Sequence, residues 1–248
     1  MKILDRVEIV EPYPAIWIKE IDSLVIADLH LGYEGIMAEE GIFIPKVQFE
    51  EELEMLEQII EKVKASRIII DGDVKHEFSE TSYHEFIEVR DLFLFLKGRF
   101  KEVIVIKGNH DNFIIRVTKR YGVKLYDHLL LKGFLFLHGH KIPKNYSRIK
   151  AGYLIIGHEH PAIALFDEIG VKEKIDCFLY GDLKDGKMLI VLPAFSTLML
   201  GSEVNLIPKE ELLSPILREL ARIEKLKVIG ITRELGCLRF PELSKLHR

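Results

Sequence analysis

Three short apolar runs constrain this chain more than anything else in it, because each delivers acids or histidines at its C-terminal end. Leu24-Val25-Ile26-Ala27 leads to Asp28 and His30, Arg67-Ile68-Ile69-Ile70 to Asp71-Gly72-Asp73, and Val103-Ile104-Val105-Ile106 to Gly108-Asn109-His110-Asp111. Short β-branched runs without polar alternation read as strands buried on both faces, and the amphipathic stretches between them read as crossover helices. That pattern defines an α/β sheet, in which ligand sites gather beyond the carboxyl ends of the strands. The three polar clusters are therefore expected to meet in space.

Around these runs the chain can be laid out. Residues 15–18 and 24–27 form a hairpin around Glu20 to Ser23. Pro45 opens a helix with Val47, Leu53, Leu56, Ile60 and Val63 on its apolar face, ending near Ser66. A second helix runs from Tyr83 to Lys97 and stops at Gly98, and a third covers about 113–121. Strands follow at 129–131, 134–137 and 153–156, then a hairpin at Asp185-Gly186 within 175–193, a helix from Leu212 to Leu226 and a strand at 228–232. Strands returning by hairpins predict a second sheet packed on the first. With no repeat, low-complexity segment or linker, residues 1–248 read as one domain.

Composition adds exclusions. A 48% hydrophobic content over 248 residues rules out disorder. With 35 Lys+Arg against 39 Asp+Glu, the net charge of −4 argues against holding duplex nucleic acid by bulk charge. Cys177 and Cys237 have no metal-like spacing and fit buried thiols in a reducing compartment. No apolar run of about 18 residues and no signal-like start point to a cytoplasmic protein without a membrane partner. Few Gln and Asn among abundant Lys, Glu and Ile resemble the composition of heat-adapted proteins.

Seven of the ten histidines stand at or beside a strand end: His30, His76, His110, His138, His140, His158 and His160. One such histidine would be an ordinary core or surface residue. A buried cluster of imidazoles and carboxylates without cations, however, leaves like charges and unpaired nitrogens in a poorly solvated place. Mixed imidazole and carboxylate donors without thiolates suit Mn, Fe, Co or Zn rather than a structural zinc site. The donors outnumber the needs of one ion, so two metals are expected, clamping the attacking and leaving oxygens of a phosphoryl transfer.

Asp28-Leu29-His30, Gly72-Asp73, Gly108-Asn109-His110-Asp111, His138-Gly139 and Gly157-His158-Glu159-His160 resemble, in order, the five signatures of the calcineurin-like metallophosphoesterases. More narrowly, residues 28–34, 72–78 and 157–161 resemble archaeal phosphoesterases related to the SbcD repair nucleases (ICC-like), whose bacterial relatives accompany a DNA ligase. The resemblance implies a four-layer αββα sandwich of two mixed sheets flanked by helices. It implies that Asp28, His30 and His160 bind one metal, that Asn109, His138 and His158 bind the other, and that Asp73 bridges them. Manganese is the first choice of metal, with Fe, Co, Ni or Zn as others. His110 is left as the acid opposite a metal-bridging hydroxide, and Asp111 as the residue that orients it.

Lys75 and His76 read as substrate contacts or as loop fixtures, and His140 as a residue holding a ligand by hydrogen bond. Asp71 is expected to satisfy backbone donors. Lys141, Lys144, Arg148 and Lys150 form an acid-free run after His140, either a solvated face or a guide for an anion. Residues 209–248 carry net +3 and read as a tail available for oligomer contact or nucleic acid. The leading function is hydrolysis of a phosphodiester derived from a nucleotide or nucleic acid. A phosphomonoesterase or pyrophosphohydrolase on a small nucleotide, a DNA-repair nuclease subunit and a non-catalytic scaffold are the alternatives, and a homo-oligomer is compatible with each.

Overall fold

The computed structural model describes residues 1–78 and 83–246. Its first half is a seven-stranded sheet whose strands lie side by side in chain order. These are β1 (Lys2–Leu4), β2 (Val7–Ile9), β3 (Ile16–Ile18), β4 (Ser23–Ile26), β5 (Arg67–Asp71), β6 (Glu102–Ile106) and β7 (Lys124–Tyr126). β1 to β4 pair antiparallel, and β4 to β7 pair parallel. The parallel strands need crossovers, supplied by α1 (Tyr33–Glu39), α2 (Gln48–Lys62), α3 (Tyr83–Arg99) and α4 (Ile115–Tyr121).

The second sheet comprises β8 (Leu129–Leu131), β9 (Phe134–Phe136), β10 (Tyr153–Ile156), β11 (Pro161–Phe166), β12 (Lys172–Asp182), β13 (Met188–Val191), β14 (Ser202–Glu203), β15 (Lys227–Thr232) and β16 (Gly236–Glu242). Its order is β14-β11-β12-β13-β10-β9-β8, with β15 paired to β12 and β16 to β15. β10 lies parallel to β9 and β13, while β12 is antiparallel to β11, β13 and β15, so both sheets are mixed.

Strand alternation sorts the apolar side chains into layers. Leu24, Ile26, Ile68, Ile70, Val103 and Val105 meet Leu56 and Ile59 of α2 and Val89, Phe93 and Leu96 of α3. Their neighbours Val25, Ile69 and Ile104 turn the other way, against Phe134, Phe136, Ile155, Phe178 and Ile190 of the second sheet. The outer face of that sheet is covered by Leu212, Ile216, Leu217, Ala221 and Leu226. The two packed sheets with helical layers outside them are the expected sandwich.

The details differ from expectation at identifiable places. α2 begins at Gln48 and not at Pro45, because the Glu34 carboxylate accepts the N–H groups of Val47 at 2.7 Å and Gln48 at 2.9 Å. A remote side chain thus satisfies orphan donors that a local cap would normally take. α3 runs through Gly98 to Arg99. The expected helix from 212 to 226 is instead a π-helical turn at Ile216–Leu220 and a 3-10 turn at Ile223–Lys225, interrupted where Ala221 bridges Leu183. Six strands had no expected counterpart: β1, β2, β7, β11, β14 and β16. Residues 209–246 are not a tail, since β15 and β16 complete the second sheet and the turns before them cover it. Among the described residues, no helix is long and apolar enough to cross a membrane.

Candidate metal centre

The strand-end loops are shaped by backbone conformations that side chains rarely accept. Asp28, His30, Asp73, His158 and His160 have φ of 59°, 51°, 48°, 68° and 46°. Asp and His tolerate this region better than branched residues, and such strain is retained where the surroundings over-determine it. Here the loops are laced together: Asp28 N–H donates to the Gly72 carbonyl at 3.0 Å, His30 N–H to that of Asp73 at 2.9 Å, and Ser196 N–H to that of Asp28 at 3.1 Å. Gly72, with φ of 90°, lies where a Cβ would overlap the His138 ring, and a Cβ on Gly108 would overlap the Asp73 carboxylate. Glycine before these residues is therefore a packing requirement.

Two ligand-like groups result. Asp28, His30 and His160 form one and Asp73, His138 and His158 the other, with the potential donor atoms of each within 4.8 Å of one another. In the first, His160 Nε2 is 3.3 Å from Asp28 Oδ1 and 3.3 Å from His30 Nε2. In the second, His138 Nε2 is 3.0 Å from Asp73 Oδ2 and 3.1 Å from Asn109 Oδ1. The same Asp73 oxygen is 3.9 Å from His30 Nε2, so it stands between the groups. His138 Nδ1–H donates to the Asp71 carbonyl at 2.9 Å, which fixes the ring and turns Nε2 inward. These nitrogen and carboxylate donors, with no thiolate and with a neutral amide oxygen beside them, fit divalent transition ions.

The electrostatics of the bare protein show what a cation would relieve. Burial disfavours the His138 imidazolium, but the facing Asp73 and Asp28 carboxylates outweigh it and push its pKa up to about 10. Burial likewise opposes charge on His160, and Asp28 raises it. Asp73 is held low in spite of burial, chiefly by His138. His30 is lowered well below its ordinary value by burial. His158 falls to about 3, from burial and the neighbouring His138. A proton on His138 thus occupies the place of a cation.

The remaining expected site residues fall in several places. His110 Nε2 is 3.9 Å from Asp73 Oδ2, while its Nδ1 faces the His76 carbonyl. Asp111 does not orient it: the buried Asp111 carboxylate accepts the N–H groups of Gly108 and Val74, each at 2.9 Å, and so ties two strand-end loops together. Its pKa rises to about 7 through burial and the nearby Asp73. His76 lies closer in than expected, its Nδ1 3.3 Å from His30 Nδ1, forming a third potential ligand group with His30 and His110. Lys75 is fully buried, its Nζ donating to the Glu77 carbonyl. The His140 ring centroid is 5.4 Å from that of His138, and its buried Nδ1 has no hydrogen-bond partner. Asp71 overturns its expectation: both carboxylate oxygens are buried without a hydrogen-bond partner.

Two features escaped sequence reasoning. Glu159, between the histidines at 158 and 160, accepts the N–H groups of Leu213 at 3.2 Å and Ser214 at 2.8 Å. Phe78 lies on His110, with ring centroids 3.7 Å apart. Both partners are distant in sequence, so only the glutamate's place between two histidines offered a signal. A cavity of about 720 Å³ lies elsewhere, among Tyr13, Met55, Phe195, Met199 and Arg233, and no member of the three histidine groups lines it.

A sandwich of this kind with imidazole and carboxylate donors at its strand ends is the framework of a metallohydrolase. A sequence model described as calcineurin-like phosphoesterase matches residues 22–158, and the chain belongs to that family, which makes it a metal-dependent hydrolase. Among solved structures, the Pseudomonas putida nuclease MPE shares 18% identity with 92% of each chain covered and a TM-score of 0.62, a likeness of fold. The Escherichia coli phosphoesterase Yfce is 14% identical over 85% of this chain and 88% of its own, with a TM-score of 0.41. No curated protein matches the chain by sequence.

Proposed function

We propose that this chain is a single-domain phosphodiesterase acting on a nucleotide or nucleic-acid substrate with two divalent ions, manganese first among them. The observation that carries the reading is the Asp73 oxygen lying 3.0 Å from His138 Nε2 and 3.9 Å from His30 Nε2, between two three-residue groups. Asp28, His30 and His160 would hold one ion, Asn109, His138 and His158 the second, and Asp73 both, since a carboxylate can offset charge on two cations at once. Bound there, the ions supply Lewis acidity toward phosphate and an activated water.

The chain's own groups do the rest. His110, in neither of the two groups just named, donates from Nδ1 to the His76 carbonyl and keeps Nε2 at the site for a proton that can pass to the departing oxygen. Asp111 acts on the loop and not on the proton. His140 and His76 border the ligand groups, where they hold neighbouring rings or meet substrate, and Lys75 stabilises the loop after Asp73. The likeness to the P. putida nuclease supports a diester over a monoester. The full donor set argues against a scaffold.

Mn²⁺-loaded protein is expected to hydrolyse bis-p-nitrophenyl phosphate. His110→Ala is expected to lower kcat by about 10²–10⁴-fold while retaining metal, and Asp73→Ala to lose both metal and activity. Inactivity of loaded wild-type protein on activated diesters would overturn the reading.

A further inference from the structure

We infer that Phe78 is a stacking platform for a nucleobase next to the scissile phosphate, and so a specificity-determining residue; the inference rests on the phosphodiesterase reading for the position of that phosphate. Phe78 is 54% exposed although its ring packs on His110 at 3.7 Å with 32° between planes. One face of the ring is therefore taken by the imidazole, and water meets the remainder. An exposed phenylalanine alone is unremarkable, but this one is held in place. The Asn112 side chain donates to the Phe78 carbonyl at 3.1 Å, Glu77 N–H donates to Glu85 at 2.7 Å, and Lys75 Nζ donates to the Glu77 carbonyl. Anchored by these bonds, residues 75–78 present the Phe78 ring at the edge of the candidate centre.

The ring also ends a series. Tyr33 packs edge-on to His76 at 4.7 Å, His76 lies 5.4 Å from His110, and Phe78 covers His110. A planar group laid on the open side of Phe78 would extend this series by one layer, within reach of a phosphate beside His110. Aromatic platforms of this type hold bases with little regard to sequence, because every base has a π-face. An open aromatic face beside His110 suits a nucleotide or a single-stranded end better than a phosphosugar without a base.

The test is calorimetric binding to Mn²⁺-loaded protein, with two pairs of probes. The first pair is a phosphorothioate-linked thymidine tetranucleotide and the same molecule lacking one terminal base. The second is thymidine 5′-monophosphate and deoxyribose 5-phosphate. Wild type is expected to prefer the base-bearing probe by about tenfold in at least one pair. Phe78→Ala should erase the preference and Phe78→Trp should keep it. In turnover, the loss should appear in KM for nucleotide diesters, with kcat changed less. Preference in both pairs identifies a free nucleotide as sufficient, and preference in the first pair alone identifies a strand end.

Equal binding by wild type, or an undiminished preference in Phe78→Ala, would overturn the inference. A kcat loss on all substrates with the preference intact would do the same, and would leave Phe78 as packing for His110. If bases are preferred but no diester is cleaved, the phosphodiesterase reading fails while the platform stands. Cleavage of diesters without any base preference gives the reverse.

Discussion

At the scale of single residues, the candidate centre sets buried carboxylates against imidazoles at close range. His138 is raised to about 10 by carboxylates that overcome its burial, so it holds a proton throughout the neutral range in the metal-free protein. A metal must displace that proton. The sign follows: falling pH favours the protonated form, and metal affinity should drop about tenfold per pH unit for each proton displaced. Titrations of Mn²⁺ at pH 6, 7 and 8, in buffers of differing ionisation enthalpy, should show this slope and at least one proton released; a flat affinity would contradict it. The donors could be read from the sequence because they repeat at strand ends. The roles of Asp111 and Asp71 could not, because whether a buried carboxylate meets N–H groups or nothing depends on loops that are far apart in the chain.

At the scale of elements, the strands were legible wherever β-branched runs were long enough to be buried on both faces, as in β4, β5 and β6. Edge strands such as β1 and β7, three residues each, carry too little pattern to be seen. Two helix limits failed for a tertiary reason: Glu34 caps α2 from outside it, and Ala221 leaves the helical path to pair with Leu183. The same dependence gives Glu159 its meaning. It joins the loop bearing His158 and His160 to the covering segment at Leu213 and Ser214, and Ser214 Oγ in turn donates to the Gly139 carbonyl at 2.8 Å. Glu159→Ala leaves two N–H groups without their acceptor, for a cost of about 1–3 kcal/mol in urea unfolding. Because the ligand loop loosens with it, metal affinity should fall by about 10–100-fold. Stability lost with affinity unchanged would show that the brace serves the covering layer alone.

At the scale of the whole molecule, two sheets share one apolar interface, and the loops at one end of it bring together residues from Asp28 to His160. This convergence was foreseeable from topology, as ligand sites collect at strand carboxyl ends. The charge distribution was legible only as a run: Lys141, Lys144, Arg148 and Lys150 are all exposed, on the segment after His140. If they guide an anion, replacing the four with Ser should lower kcat/KM on an oligonucleotide by about tenfold and flatten its salt dependence, with bis-p-nitrophenyl phosphate unaffected. Equal salt slopes would return them to a solvated face. The central claim, that two cations share Asp73, is tested most directly by anomalous diffraction from crystals soaked in Mn²⁺. Two peaks about 3.5–4 Å apart on either side of the Asp73 carboxylate are predicted, and a single peak, or none at Asp73, would contradict the account.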